Sequence, residues 1–173
     1  MEMFDLYDEN RQKTGETIAR GNVCPNRFCR LVVHVCIFNK KGQMLIQQRH
    51  SSKKSWPNAW DVTLGGCVRA GENSSQAIAR ELGEELGLHF DFTNERPYFT
   101  INFDNGFDDY YLIEKEVELK DVKFVDGEVQ NVKWASKDEI LQKIENKEFI
   151  GYYPSFIEAL FDMRAKRGVH KPH

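Results

Sequence analysis

Three glutamates, Glu81, Glu84 and Glu85, fall three and four residues apart within the stretch from Ser74 to Leu86. On a helix turning about 100° per residue they share an arc about 100° wide, beside the arc that carries Ile78, Leu82 and Leu86. Like charges at this spacing repel by a few tenths of a kcal/mol on an exposed helix, and by more once water is removed. A divalent cation turns that repulsion into a binding site. Carboxylate oxygens in an open array suit Mg²⁺, which prefers octahedral oxygen ligands and keeps several waters. Ala77 falls inside the same arc and is expected to leave room for a hydrated cation. The competing reading is a solvated acidic face, which many surface helices carry. The preceding loop argues against it, because Gly65-Gly66 lets the chain turn sharply and present bare carbonyls, followed by Cys67 to Glu72.

The elements around this helix must hold it in place. Asn73 is the expected N-cap with Gln76 as its capping-box partner, and Gly87 is placed to close the helix in a left-handed conformation. A second helix is expected from Ser136, with Glu139 in the reciprocal position. A third has Pro154 near its start, sets Phe156, Ala159, Leu160 and Met163 on one face, and stops before Gly168. A short strand from Phe4 to Tyr7 and a turn from Asp8 to Gly15 come first. Leu31 to Phe38 and Met44 to Gln48 flank the Asn39–Gly42 turn as a hairpin. Further strands are expected at Trp60 to Leu64, ending at Gly65-Gly66, then at Tyr98 to Phe103, Tyr110 to Val117 and Val129 to Trp134. Turns fall at Asp104–Gly106 and Asp126-Gly127. Strands interspersed with three helices predict an α/β domain with a mixed β-sheet sandwiched between helices. No repeat or linker divides residues 1–173, so one domain is expected, with residues 1–28 as an amino-terminal extension packed on it.

The segment GCVRAGENSSQAIARELGEELGL, Gly66 to Leu88, resembles the Nudix box. Gly66 is followed by five residues and Glu72, then by seven residues and Arg80-Glu81-Leu82-x-Glu84-Glu85-x-Gly87-Leu88. Every specified position matches, which chance would produce roughly once in a billion starting positions. The resemblance implies a Nudix-type α/β/α sandwich and a pyrophosphohydrolase that cleaves a nucleoside diphosphate linked to another group, with Mg²⁺ or Mn²⁺. It also implies the roles. Glu81, Glu84 and Glu85 would be metal ligands together with a backbone carbonyl at Gly65 or Gly66, Glu72 would be an outer or occasional ligand, and Arg80 would orient the glutamates. Glu81, Glu84 and Arg80 would form the catalytic group, with Glu128 as a candidate general base or extra ligand.

Three other segments, FDLYDENRQKTGE, IFNKKGQMLIQQR and KKSWPNAWDVTLGG, are similar to the superfamily branch containing isopentenyl-diphosphate isomerase and isomerase-like hydrolases. By that resemblance Arg49 and Lys53 align with diphosphate contacts, and Lys54 joins them as a phosphate-binding candidate. The isomerase carries cysteine and histidine where this chain has Gly65 and Cys67, and its metal-binding histidines fall near Val23 and Arg30. Hydrolysis is therefore expected, with isopentenyl-diphosphate isomerisation as the alternative and a catalytically inactive nucleotide-binding module as the second. His34, in an apolar strand, reads as a core histidine. Cys67 sits two residues after the isomerase's aligned cysteine, so a catalytic thiol is not expected. Trp56 and Trp60 read as packing residues rather than stacking platforms. Tyr98, Phe99, Phe103, Phe107, Tyr110 and Tyr111 suit either a stacked nucleobase or a strand core.

Composition removes other classes. With 40% apolar and 29% charged residues the chain is neither disordered nor fibrous. Its longest apolar stretch, Leu31 to Phe38, is interrupted by His34 and falls well short of the roughly 20 residues that span a bilayer. The formal charge of −3 gives no general field for nucleic acid or an anionic membrane, so neither is expected as a partner. A small-molecule nucleotide or diphosphate is the expected ligand, and the oligomeric state stays open, a homodimer included. Four cysteines without a close C-x-x-C pair imply reduced thiols and no zinc. The acidic start Met1-Glu2-Met3-Phe4-Asp5 is unlike a secretory signal, which predicts a cytoplasmic protein.

Overall fold

The structure, a computed structural model, describes residues 1–25, 28–125 and 127–170. Its elements are β1 (Met3–Tyr7), β2 (Lys13–Ala19), β3 (Arg30–Phe38), β4 (Met44–Arg49), β5 (Trp60–Asp61), β6 (Leu64–Cys67), α1 (Ser74–Leu86), β7 (Phe99–Phe103), β8 (Gly106–Glu114), β9 (Val129–Ala135), α2 (Lys137–Glu145) and α3 (Pro154–Met163), with a 3-10 turn at Leu119–Asp121. The main sheet runs β5-β4-β3-β8-β7, with β6 also pairing β3 and β9 pairing β4. Among the described strands β3 and β8 pair in parallel and the other neighbours pair antiparallel, so the sheet is mixed.

Alternation along β3 feeds two cores. Val33, Val35 and Ile37 pack with Leu45, Leu64 and Tyr111 against Ala77, Ile78, Leu82 and Leu86 of α1. Cys36 and Phe38 pack with Met44, Ile46 and Leu112 against Ile140 of α2 and Ile157, Leu160 and Phe161 of α3. A two-residue side-chain period on one central strand thus buries both sheet faces and yields the α/β/α sandwich. No helix among the described residues is long and apolar enough to cross a membrane.

Several elements depart from the sequence expectations. The amino-terminal turn is shorter than expected, because Lys13–Ala19 forms a second strand that pairs with β1. Its first five residues are exposed and lack large apolar side chains, with only Ile18 and Ala19 apolar and half-buried, so no apolar alternation announces it. The strand expected at Trp60 to Leu64 is split, and Gly65-Gly66 do not end it. They continue β6 as partners of His34 and Val33. The strand expected from Tyr110 starts at Gly106 and ends at Glu114. On α3 the buried face is centred on Ile157, Leu160 and Phe161; of the expected set Leu160 is buried and Phe156 and Met163 pack partly on the core, and the helix ends at Met163, before Gly168 as expected. Ser136 caps α2 by accepting from the Glu139 N–H, whereas the Glu139 side chain turns to Lys133. Asp126, half of an expected turn, lies outside the described residues.

The α1 termini follow the sequence. The Asn73 side chain accepts the Gln76 N–H while the Gln76 side chain accepts the Asn73 N–H, and Gly87 closes the helix at φ 64°. The β1-β2 hairpin is tied down by several bonds. Arg11 pairs with the buried Asp109, the Ala70 N–H donates to the Met3 carbonyl at 2.8 Å, and the Gly71 N–H donates to Asp5 at 2.9 Å. These bonds fix the loop that leads into α1.

Thr63 joins the central strands where β5 passes into β6. Its hydroxyl is fully buried, accepts the Ile37 N–H at 2.9 Å and donates to the Leu45 carbonyl. Thr63→Val keeps the shape and leaves both backbone groups without that partner, which should lower the unfolding free energy by about 2 to 4 kcal/mol. Urea denaturation followed by circular dichroism measures it, and a loss below about 0.5 kcal/mol would contradict the bridging role.

Candidate active site

A cleft of about 900 Å³ runs across the end of the sheet. One wall is the acidic face of α1, with Glu81, Glu84 and Glu85, over Gly65, Gly66 and Cys67 of β6. The opposite wall is the β4–β5 connection, with Arg49, Lys53, Lys54 and Trp56, joined by Glu128 just before β9. Carboxylates and cations thus face one another across a space large enough for a nucleotide-sized ligand.

Arg80 organises the acidic wall. Its guanidinium lies 2.7 and 3.0 Å from Glu72, 3.0 Å from Glu81 and 3.0 Å from Glu84, and it donates to the Cys67 carbonyl at 3.1 Å. Arg69 adds a two-pronged pair to Glu84 at 3.0 and 3.1 Å and reaches Glu2 at 2.5 Å. Burial alone would raise the Glu72 carboxyl, but the Arg80 bonds and the Arg69 N–H overcome it and hold Glu72 below the ordinary value. At Glu81 the balance is reversed. Burial raises it and the Arg80 charge offsets only part, so Glu81 ionises above the usual carboxylate range.

The site's fit to a divalent cation can be read from Gly66. A Cβ built there would lie 2.5 Å from the Glu81 carboxyl carbon and oxygen, so only a bare backbone lets this carboxylate rest on the strand. Glu85, 6% exposed, lines the same wall. As they stand, the carboxylates spread onto Arg80 and Arg69. Among the described residues, no three His, Cys, Asp or Glu groups are gathered at cation-binding geometry. The donors are nevertheless all oxygen, the chemistry that Mg²⁺ and Mn²⁺ accept.

The cationic wall is built from a short loop whose Trp56 and Asn58 both take positive φ. Arg49 donates to the Ser55 carbonyl at 3.2 and 3.0 Å, which fixes the loop over the cleft. Lys53 pairs with Glu128 at 2.6 Å, and the His50 N–H donates to the Glu128 carbonyl at 2.8 Å. The expected phosphate-binding residues are therefore brought to the cleft. Glu72 and Arg80 stand behind its surface and act on it through Glu81 and Glu84.

Some expectations fail here. Ala77 does not open space for a cation: it is fully buried in the core beneath α1. Trp56 is not a packing residue, since it is 55% exposed at the cleft rim, whereas Trp60 does pack against the second core. Phe99 and Tyr110 meet Phe156 edge to face, Tyr98 packs against the second core, and Phe107 and Tyr111 are buried, so five of the six expected aromatics serve the cores while Phe103 is 42% exposed. His34 is held as expected of a core histidine, with Nδ1 2.6 Å from Asp108 and its ring stacked on Tyr110, yet it also lines the cleft. Burial would lower its pKa, but the Asp108 bond and charge raise it. The side chain of a residue at Gly65 would collide with the His34 ring. Burial pushes the Cys67 thiol up, which keeps it protonated.

Sequence reasoning missed Glu2 and Arg20, which the β1-β2 hairpin adds to the cleft, and Gln47, Asp61 and Tyr152 at its other end. Gln47 shares a face of β4 with the core residue Leu45, so the sequence carries a signal there: a polar side chain where the two-residue period calls for an apolar one. Asp61 is fully enclosed, and burial raises its carboxyl pKa despite His34 and the Tyr152 hydroxyl.

Comparison with known proteins agrees with this architecture. Residues 29–156 match the NUDIX domain family. Over 170 residues the chain is 42% identical to an uncharacterised Nudix hydrolase of Listeria monocytogenes, covering 98% of this chain and 99% of that one. It is 32% identical to Nudix hydrolase 3 of Arabidopsis thaliana over 132 residues, 76% of this chain and 16% of the relative. The crystal structure of DR0079 from Deinococcus radiodurans superposes with a TM-score of 0.74 at 26% identity, covering 92% of this chain and 97% of the other. An Ap4A hydrolase of C. elegans shares the fold, with a TM-score of 0.52 at 20% identity over 78% and 96% of the two chains. With its box on α1, its glutamates in the cleft and its sandwich matched along nearly the whole length, the chain belongs to the Nudix family and is a pyrophosphohydrolase of that family.

Proposed function

We propose that the protein hydrolyses the phosphoanhydride of a nucleoside diphosphate linked to a second group, with Mg²⁺ or Mn²⁺ as the cation. The observation that carries this reading is the single cleft in which Glu81, Glu84 and Glu85 face Arg49, Lys53 and Lys54. A diphosphate needs both walls. Its outer oxygens suit Arg49, Lys53 and Lys54, while Glu81, Glu84, Glu85 and a carbonyl at Gly65 or Gly66 would hold the cation, with Glu72 behind them. When bound, the cation neutralises diphosphate charge and makes water a better nucleophile.

The chain's own groups do the rest. Arg80 holds Glu81 and Glu84 relative to the strand, which limits the ordering left to the cation-binding step. Desolvation raises the proton affinity of Glu81, which suits it to accept a proton from attacking water. Glu128 faces them and, through Lys53, is tied to the phosphate-binding wall. Isomerisation is disfavoured at Gly65, where the isomerase carries cysteine, because the His34 ring fills the place a side chain would take. An inactive module is disfavoured by the complete set of box carboxylates. The four free thiols suit a reducing compartment, and we assign the protein to the cytoplasm as one domain over residues 1–173.

Glu84→Gln keeps volume and removes charge. It should lower turnover by several hundredfold while the melting temperature changes by a few degrees at most. Phosphate release from a panel of nucleoside diphosphate derivatives checks this, and a near-normal rate at saturating Mg²⁺ would contradict it.

Glu81 also sets a pH dependence. Its pKa is raised on folding, so ionising it costs stability, and this cost appears as pH rises through 4.5 toward the folded value. A bound cation removes the cost. Millimolar Mn²⁺ should therefore raise the melting temperature more at pH 8 than at pH 5, while NaCl of equal ionic strength does much less at either pH. Equal shifts with both salts would contradict a cation site.

A further inference from the structure

The cleft holds a second polar group, away from the Arg80 network. Gln47 of β4 and Asp61 of β5 are direct partners across the antiparallel ladder. Both line the cleft, at 3% and 4% exposure. The Gln47 Oε1 atom is buried without any hydrogen-bond partner. In Asp61, Oδ1 accepts the Val62 N–H at 2.8 Å and the Tyr152 hydroxyl at 3.0 Å, while Oδ2 stands 4.0 Å from Arg49, beyond hydrogen-bond reach. The Gln47 oxygen, buried without a partner, is costly in this condition, and an arriving ligand that donates an N–H group relieves it, with Asp61 Oδ2 as a neighbouring acceptor.

Trp56 lines the same cleft. A tryptophan at 55% exposure and φ 52° is unfavourable twice over, in solvation and in backbone conformation. Loop bonds from Arg49 hold it there, with its indole displayed on the cleft rim. Strain kept at a ligand-facing position is a feature of binding sites.

We infer that Gln47, Asp61 and Trp56 form the subsite for a nucleobase, whose N–H edge donates to the Gln47 and Asp61 oxygens while its face stacks on the indole. This assignment rests on the hydrolase reading and names the part of the substrate that the diphosphate-binding residues leave unread. A prenyl chain would bury both oxygens without donors. A sugar carries more hydroxyls than two acceptors beside Ile150, Val125 and the rings can satisfy. A base offers a few donors on a flat apolar ring, which matches what this end of the cleft presents.

Titration calorimetry without turnover tests the assignment on the intact protein. The probes are the four common nucleoside 5′-monophosphates, ribose 5-phosphate, glucose 1-phosphate and isopentenyl phosphate. At least one nucleotide should bind tenfold or more tighter than ribose 5-phosphate, and Gln47→Leu and Trp56→Leu should each cut that ratio at least fivefold. A ratio near one in the unaltered protein, a ratio unchanged in either folded variant, or tighter binding of glucose 1-phosphate or isopentenyl phosphate would overturn the subsite. If Gln47→Leu fails to fold, Trp56→Leu decides, because its side chain is exposed. Base preference without hydrolysis would sink the hydrolase reading and keep the subsite; hydrolysis without base preference would do the reverse.

Discussion

Arg80 is the side chain on which the acidic wall of the cleft depends. It gathers Glu72, Glu81, Glu84 and the Cys67 carbonyl around a single guanidinium that is itself only 16% exposed. Without it, Glu81 would be a desolvated carboxylate beside Glu84, an arrangement that folding does not favour. The five fixed N–H directions of arginine satisfy several acceptors at once, which a lysine could not do. Helix α1 supplies the carboxylates at helical spacing, and strand β6 supplies the carbonyl. Arg80 joins the two elements, so the geometry of the wall is a consequence of one ion-pair network rather than of loop shape.

That network in turn requires a bare strand. Gly66 lets Glu81 lie on β6, and Gly65 accommodates His34, so the glycine pair serves as a surface for neighbouring side chains and not as a turn. The β1-β2 hairpin closes the arrangement from outside. Glu2 takes Arg69, which also holds Glu84, and Arg20 takes Glu2 at 2.6 Å. These outer pairs are partly exposed and contribute little to stability by themselves. Their effect is to position Arg69 over the glutamates.

The helix and its ends were legible because they rest on local chemistry. Asn73, Gln76 and Gly87 act within one turn of chain, and Ile78, Leu82 and Leu86 bury the face that a 3.6-residue period selects. The β3-β4 hairpin and the acidic arc were legible for the same reason. Strand β2 was not, since Lys13–Ala19 carries exposed polar residues that no pattern separates from a loop. The placement of Asp61, Tyr152 and Glu2 at the cleft depends on contacts 91 or 67 residues apart in sequence, Tyr152 with Asp61 and Glu2 with Arg69. Trp56 and Ala77 were misread because exposure depends on the loop and on the helix's rotation, which composition does not specify.

The central claim is that the carboxylates held by Arg80 are a cation site on the cleft wall. Crystals grown with Mn²⁺ and measured for anomalous scattering address it directly. The account predicts an anomalous peak within coordination distance of Glu81, Glu84 or Glu85 and of a carbonyl at Gly65 or Gly66, with Glu84 withdrawn from Arg69. A cleft without a peak at millimolar Mn²⁺, its glutamates still paired with Arg69 and Arg80, would contradict it.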